Sequence, residues 1–245
     1  MTSNGPTLIV TGVSRGIGRS IVLLAIQKLG ANVIGVARSK EGLQKLSQHI
    51  EGDLNLKDRF KFVAGDLTDE STSQEAVALA LKSWSGEING LVLNAGTFDI
   101  NLFACMTTVQ HALPALRESK GRVIFLGSGS AFQARRGMGA YCSSKAALKM
   151  FTDMLTMEEP ELTTISIRPG VVDTDMVGIV RKEGAEILPP DQYAMFSSER
   201  TEKSGPLLHP DEPGHVVASL AISASASLSG KHLVWNDEEL KTHRK

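Results

Sequence analysis

The chain has 245 residues, 42% of them hydrophobic and 22% charged, and a formal net charge of -1. This length suits one compact domain, residues 1–245, with a large core. Both signs of charge are spread along the sequence, which excludes the basic footprint of a nucleic-acid binder and the patch that would hold an anionic membrane surface, so small molecules are the expected partners.

The two cysteines, Cys105 and Cys142, have neither metal-ligand spacing nor a disulfide framework, which fits a reducing compartment. The opening "MTSNGPTLIVTG" has no basic start and no apolar run long enough for a signal peptide, and no segment approaches a membrane span. The closing "THRK" is neither a prenylation nor a peroxisomal signal. A soluble, cytoplasmic protein is expected.

Short aliphatic or β-branched runs recur in chain order at Leu8 to Val10, Val33 to Val36, Phe60 to Val63, Leu91 to Leu93, Val123 to Leu126, Thr164 to Ile167 and Leu233 to Trp235. They lack polar alternation, as strands buried on both faces do. Between the first two, Ile17, Ile21, Leu24 and Ala25 repeat at a helical period that Gly30 closes. The unit is βαβ, and its repetition predicts a single-domain, Rossmann-type, doubly wound parallel α/β sheet of about seven strands with helices on both faces. One region breaks the rhythm: from Asp173 to about Asp211 the chain is irregular and rich in proline. A long excursion in a short-looped domain predicts a lid over the substrate.

The first strand runs into "TGVSRGIG". Gly12, Ser14, Arg15, Gly16, Ile17 and Gly18 are the candidate pyrophosphate-binding turn, because glycines let backbone N–H groups at a helix start approach the phosphates. A glycine turn by itself is also ordinary turn chemistry, and its place after a buried strand and before an amphipathic helix favours the dinucleotide. An NAD site offers an acid about 20 residues on for the ribose 2′-hydroxyl. Here "GVARSK" puts Arg38 there, and Arg15 supplies a second guanidinium, so the 2′-phosphate of NADP(H) is the better match; the alternative is that both are solvated surface charges. "GDLTDE" and "LNAG" end the third and fourth strands. Asp66 is a candidate acceptor for an adenine amino group. Asn94 is expected to tie neighbouring strands together through its amide, with cofactor contact through Ala95 and Gly96.

"AYCSSKAAL" sets Tyr141 and Lys145 four residues apart on one helical face. A phenol of pKa about 10 is too weak an acid near neutrality. A nearby ammonium, with a positive nicotinamide ring, is expected to lower it and make Tyr141 a usable proton donor or acceptor. Ser128, where the fifth strand ends, is the candidate second group on the reacting oxygen. An isolated buried tyrosine is commonly a packing residue, but its coincidence with the cofactor signals favours catalysis.

On these motifs the chain resembles the short-chain dehydrogenase/reductase family over nearly its whole length. TGVSRGIG is similar to the family's glycine motif, LNAG to its NNAG motif, and Ser128 with YCSSK to its serine and YxxxK elements. The resemblance implies that Tyr141 is the general acid/base, and that Lys145 holds the ribose hydroxyls and lowers the tyrosine pKa. It also implies that Pro169, Gly170, Val172 and Thr174 of "RPGVVDT" meet the nicotinamide carboxamide. "GVAR", "PGVVDTDM" and "SGKHLVWND" resemble most the sepiapterin-reductase and benzil-reductase branch, implying an NADPH-dependent reductase of ketones or diketones, aromatic ones among them. The implied partners are a small carbonyl or alcohol substrate and, through a helix that relatives bury in a dimer interface, further copies in a homodimer or homotetramer.

The family's fourth catalytic residue is an asparagine, and "FDINLFACM" makes Asn101 the candidate. Only six residues separate Asn94 from Asn101, where relatives have a loop and half a helix. Residues from Asn101 to Ser119 still suffice for about five helical turns. Asn101 then stands at the helix start, either as the relay residue or as a cap. The shortening raises a second reading of another class: an NADP(H)-binding protein of impaired catalysis, acting as a redox-responsive interaction module. A destabilised, non-functional variant is a third. His209, Asp211 and His215 lie in a proline-rich loop and helix start without a third ligand, so no metal is expected. Met195 and Phe196 either line the pocket or anchor the lid.

Overall fold

The computed structural model describes residues 5–54, 56, 58–94, 101–196 and 207–244. Its seven strands are β1 (Thr7–Thr11), β2 (Asn32–Ala37), β3 (Phe60–Ala64), β4 (Gly90–Leu93), β5 (Arg122–Leu126), β6 (Thr163–Arg168) and β7 (His232–Val234). They form one sheet in the order β3-β2-β1-β4-β5-β6-β7, with every neighbouring pair parallel. The expected doubly wound architecture is therefore present. The seventh strand ends one residue earlier than its apolar run; Trp235 follows it and donates its N–H to the Arg168 carbonyl at 3.1 Å.

The absence of alternation in the sequence has a direct cause in the packing. Leu8, Val10, Val33 and Val92 face a core shared with Ile21, Val22 and Ala25 of α1 (Gly16–Leu29) and Val217, Leu220 and Ala221 of the C-terminal helix Asp211–Ser223. Ile9, Ile34, Leu91, Val123 and Phe125 face the opposite core, shared with helices on the other side. Both sheet faces are buried, so apolar side chains fill most positions on each, and the few polar ones, such as Asn32 and Thr164, are buried with them. Burying each apolar side chain contributes about 1.5–3 kcal/mol.

Between them in sequence come α2 (Lys40–Gln48), α3 (Glu70–Leu81), α4 (Phe103–Ser119), α5 (Gly139–Glu158), α6 (Asp175–Glu183) and the four-residue α7 (Pro190–Tyr193), so that Asp211–Ser223 is α8. Gly30 ends α1 at φ 65, as its place in the sequence predicted, and its N–H bonds the Ala25 carbonyl. Ser39 caps α2 and Asp69 caps α3 through their side chains. Among the described residues no helix is long and apolar enough to cross a membrane.

Strand order reverses between β1 and β4, which opens a crevice at their carboxyl ends, the place where such sheets bind ligands. The irregular region leaves the sheet just after β6. It holds α6, a 3-10 turn at Gly184–Glu186 and α7, and residues 197–206 fall outside the described part. Val172 and Leu208 pair as an isolated parallel bridge at its root. Two main-chain bonds, Asp173 N–H to Leu208 O at 2.9 Å and Leu208 N–H to Val171 O at 3.1 Å, close it.

Candidate active site

The turn after β1 has the form that a pyrophosphate needs. Gly12 and Gly16 have φ of 71 and 55, values that side chains disfavour. A Cβ on Gly18 would stand 2.2 Å from the Gly12 carbonyl oxygen and 2.6 Å from Asn94 Nδ2. Arg15, the residue before α1, makes no side-chain cap bond, so that cap leaves the first N–H groups of a 14-residue helix available to an anion. Thr174 lies against this turn, its Cγ2 3.2 Å from where a Gly16 Cβ would be. The segment read as the pyrophosphate turn and the one that the resemblance puts at the nicotinamide carboxamide are thus in contact.

Asn94 behaves as expected of a tie: its Nδ2 donates to the Thr11 and Gly12 carbonyls at 3.1 and 3.2 Å, and its N–H to Thr11 Oγ1 at 3.0 Å. Ala95 and Gly96 lie outside the described residues. Arg15 and Arg38 both stand at the rim, and each faces an acid. Arg15 Nη1 is 2.7 Å from Asp175 Oδ2, and Arg38 Nη1 is 4.0 Å from Asp66 Oδ2. Asp66 is held below the usual carboxylate range by bonds from the Thr68 N–H and hydroxyl, with the Arg38 charge adding to them. A cleft of about 340 Å³, lined by Leu67, Thr68, Phe103, Ala104 and Thr107, opens beside it.

Ser128, Tyr141 and Lys145 come together at the end of β5 and the first turns of α5. The Ser128 side chain accepts from the Ser130 N–H at 3.1 Å and lies near enough to the Tyr141 hydroxyl to draw its pKa down against burial. Lys145 is 8% exposed, and its Nζ donates to the Leu126 carbonyl at 2.8 Å while lying 5.9 Å from the Tyr141 ring centroid. The Lys145 charge is not among the influences that set the phenol here. Burial raises the Tyr141 pKa, and the opposing influences are the Ser128 hydrogen bond and the charge of Arg135. The physical reason is the position of the amine, which spends a bond on a main-chain carbonyl and sits over the ring. Burial in turn pushes Lys145 down to about 8.

Asn101 is 2% exposed and stands two residues before α4, whose N-cap is Leu102 with no side-chain bond. Asn101 is itself helical, and the turn at Leu102 separates it from α4, so Asn101 is not the cap of that helix. Its Nδ2 instead donates to Ser144 Oγ at 2.9 Å, and the Ser144 hydroxyl donates to the Tyr141 carbonyl at 2.8 Å. Asn101 is thus held against α5. Ser144 escaped the sequence reading, although its place three residues after Tyr141 puts it on that side of α5. Cys105, one turn beyond Asn101, escaped it too; burial pushes its thiol up to about 12, against the pull of the Lys145 charge.

In the "RPGVVDT" loop Gly170 has φ 77, and a Cβ there would meet Leu208 Cδ1 at 2.8 Å. Val172 is buried and Thr174 Oγ1 is 3.4 Å from the Val172 carbonyl. Pro169 follows β6 directly. Of Met195 and Phe196, the first accepts at Sδ from Arg135 Nη1 at 3.0 Å and the second at its carbonyl from Arg181 Nε at 2.7 Å, so both help to anchor the irregular region. Among the described residues no group of three or more His, Cys, Asp or Glu is arranged to hold a metal. His209 and Asp211 pair with each other at 3.4 Å at the start of α8.

A family model for short chain dehydrogenases matches residues 6–184. An oxidoreductase of Saccharomyces cerevisiae, described as uncharacterized, is 36% identical over 258 aligned positions, spanning 96% of this chain and 98% of its own. The (S)-benzoin-forming benzil reductase of the same yeast is 32% identical over 265 positions, with 96% and 98% covered. A crystal structure of a short chain dehydrogenase/reductase from that yeast superposes with a TM-score of 0.88 at 34% identity, covering 98% of this chain and 100% of that one.

Proposed function

The chain belongs to the short chain dehydrogenase family of oxidoreductases, and from that premise we propose that it is an NADPH-dependent carbonyl reductase acting on ketones or diketones, aromatic ones included. The observation that carries this reading is the buried Lys145 amine 5.9 Å from the Tyr141 ring centroid, with Ser128 near enough to act on the tyrosine hydroxyl. The cofactor's fit rests on that turn: Gly18 leaves no room for a Cβ, and the start of α1 has no side-chain cap. Gly12, Ser14, Gly16, Ile17, Asn94 and Thr174 would hold the dinucleotide, Lys145 its ribose, and Arg15 and Arg38 the 2′-phosphate. When bound, it supplies the hydride that reaches the carbonyl carbon.

The chain's own residues handle the oxygen. Ser128 donates to it and fixes its position, and Tyr141 gives it a proton. A phenol raised by burial keeps that proton at neutral pH, which suits the reducing direction. A reducing, cytoplasmic setting goes with the same reading, since neither Cys105 nor Cys142 is in a disulfide among the described residues.

The test is NADPH oxidation by the purified protein with aromatic diketones, simple ketones and pterin carbonyls, run beside Tyr141→Phe. Turnover of at least one class should fall by about 100-fold or more in the variant. Unchanged turnover in Tyr141→Phe sinks the assignment, and tight NADPH binding with no turnover of any class gives the binding-protein reading instead.

A further inference from the structure

We propose that Arg135 is a substrate-binding residue that receives a carboxylate, so that the preferred substrate is an oxo acid with an apolar or aryl body. The inference rests on the reductase reading and deepens it. Arg135 lies on the segment that runs from Ser128 to Tyr141, between the 3-10 turn Gly129–Ala131 and α5. Its half-buried guanidinium reaches the lid, where Nη1 donates to Met195 Sδ at 3.0 Å. Two residues on, a Cβ at Gly137 would stand 3.0 Å from Leu188 Cδ2, so this segment packs against the lid along a seam. Arg135 therefore sits where the catalytic hydroxyls, the lid and the entering substrate meet.

Its hydrogen bonding is left incomplete there. A guanidinium offers five N–H donors in a planar fork, and a thioether is a weak acceptor. Arg15, Arg38, Arg117 and Arg181 each face a carboxylate. Arg135 faces none among the described residues, and the hydrogen bond found for it goes to sulfur. A cation drawn into a partly closed, apolar seam without a counter-charge is costly unless a ligand brings one. A carboxylate matches the fork with two parallel bonds, whereas a neutral carbonyl compound leaves it unmatched. Met195, Leu188 and Ile187 supply soft apolar surface for the rest of the molecule.

Arg135 lies six residues before Tyr141 on the same segment, so the anion and the reacting carbonyl are assigned to one small molecule. In the reaction the carbonyl carbon takes the hydride and its oxygen takes the Tyr141 proton, giving a hydroxy acid and oxidised cofactor. Arg135 exchanges no proton and acts by binding.

The experiment compares phenylglyoxylate with its methyl ester, which share the reacting carbonyl and differ in charge, and includes benzil as a neutral diketone. The wild-type protein should favour the acid over the ester. Arg135→Leu should lower kcat/KM for the acid by about 30-fold, chiefly through KM, and change the ester and benzil by less than about 3-fold. Arg135→Lys should recover part of the acid activity, and Arg136→Ala, at an exposed neighbour, should match wild type. NADPH binding followed by fluorescence reports whether each variant is folded; were Arg135→Leu to lose it, the wild-type preference and Arg135→Lys decide. Equal losses on acid and ester overturn the proposal, as does a wild type that reduces ester and benzil and ignores the acid. Failure on all three compounds and on every ketone class tried is a different result, since it removes the reductase reading beneath the proposal.

Discussion

The two halves of the crevice are built on opposite principles. On the catalytic side Asn101, Ser144 and Lys145 are 2%, 0% and 8% exposed and are fastened to one another's helix or to β5 by side-chain bonds. At the cofactor rim the side chains of Arg15 and Arg38 are 70% and 69% exposed and rest against acids. Burial changes what a group is, as the tyrosine and lysine pKa shifts demonstrate. Exposure leaves a group free to exchange partners at little cost, because ion pairs in water are worth about 0–1 kcal/mol. Chemistry needs the first arrangement and recognition of a charged ligand is served by the second.

The sharpest way to break this comparison is Lys145→Met. Burial takes the amine from the ordinary 10.5 to about 8, so between those two pH values the unfolded chain binds the proton that the folded chain has lost. Stability attributable to this group therefore rises with pH through that window, by up to about 3 kcal/mol, and the penalty is largest below it. Urea unfolding at pH 7.5, 9 and 10.5 should show wild type gaining on Lys145→Met as pH rises. Parallel curves for the two proteins would mean that burial leaves the amine unchanged.

A smaller effect is expected from Asn101→Ala, which removes the donor to Ser144 and should cost about 2 kcal/mol. Its combination with Ser144→Ala should be less than additive, since both remove the same bond. Strict additivity in chemical denaturation would show that the bond does not hold the two helices together. At the rim, Arg38→Asp should weaken NADPH binding about tenfold and NADH binding by less than about 3-fold, read by cofactor titration. Equal effects on the two cofactors would remove the case for a 2′-phosphate contact.

The fold was legible because each buried strand writes an apolar run and each helix a period, and only the last strand shifted by one residue. The glycine turn was legible for a similar reason, since positive φ restricts Gly12 and Gly16 and a close approach restricts Gly18. What the sequence concealed depends on contacts between distant segments. The i, i+4 spacing put Lys145 beside Tyr141 but did not reveal that its amine would spend a bond on Leu126. Nor did the short link before Asn101 reveal that its amide would find Ser144 in place of the end of its own helix. Arg135 carries no motif at all, and its meaning depends on where the lid returns.

The pairing of Val172 with Leu208 has a consequence for ancestry. The whole excursion between them leaves and rejoins the body at one suture made of main-chain bonds, which asks nothing of the side chains in between. Such a segment can be transplanted between homologues, or rewritten by insertion and drift, while the sheet is inherited unchanged. The sheet and this excursion are then separate heritable traits of one gene.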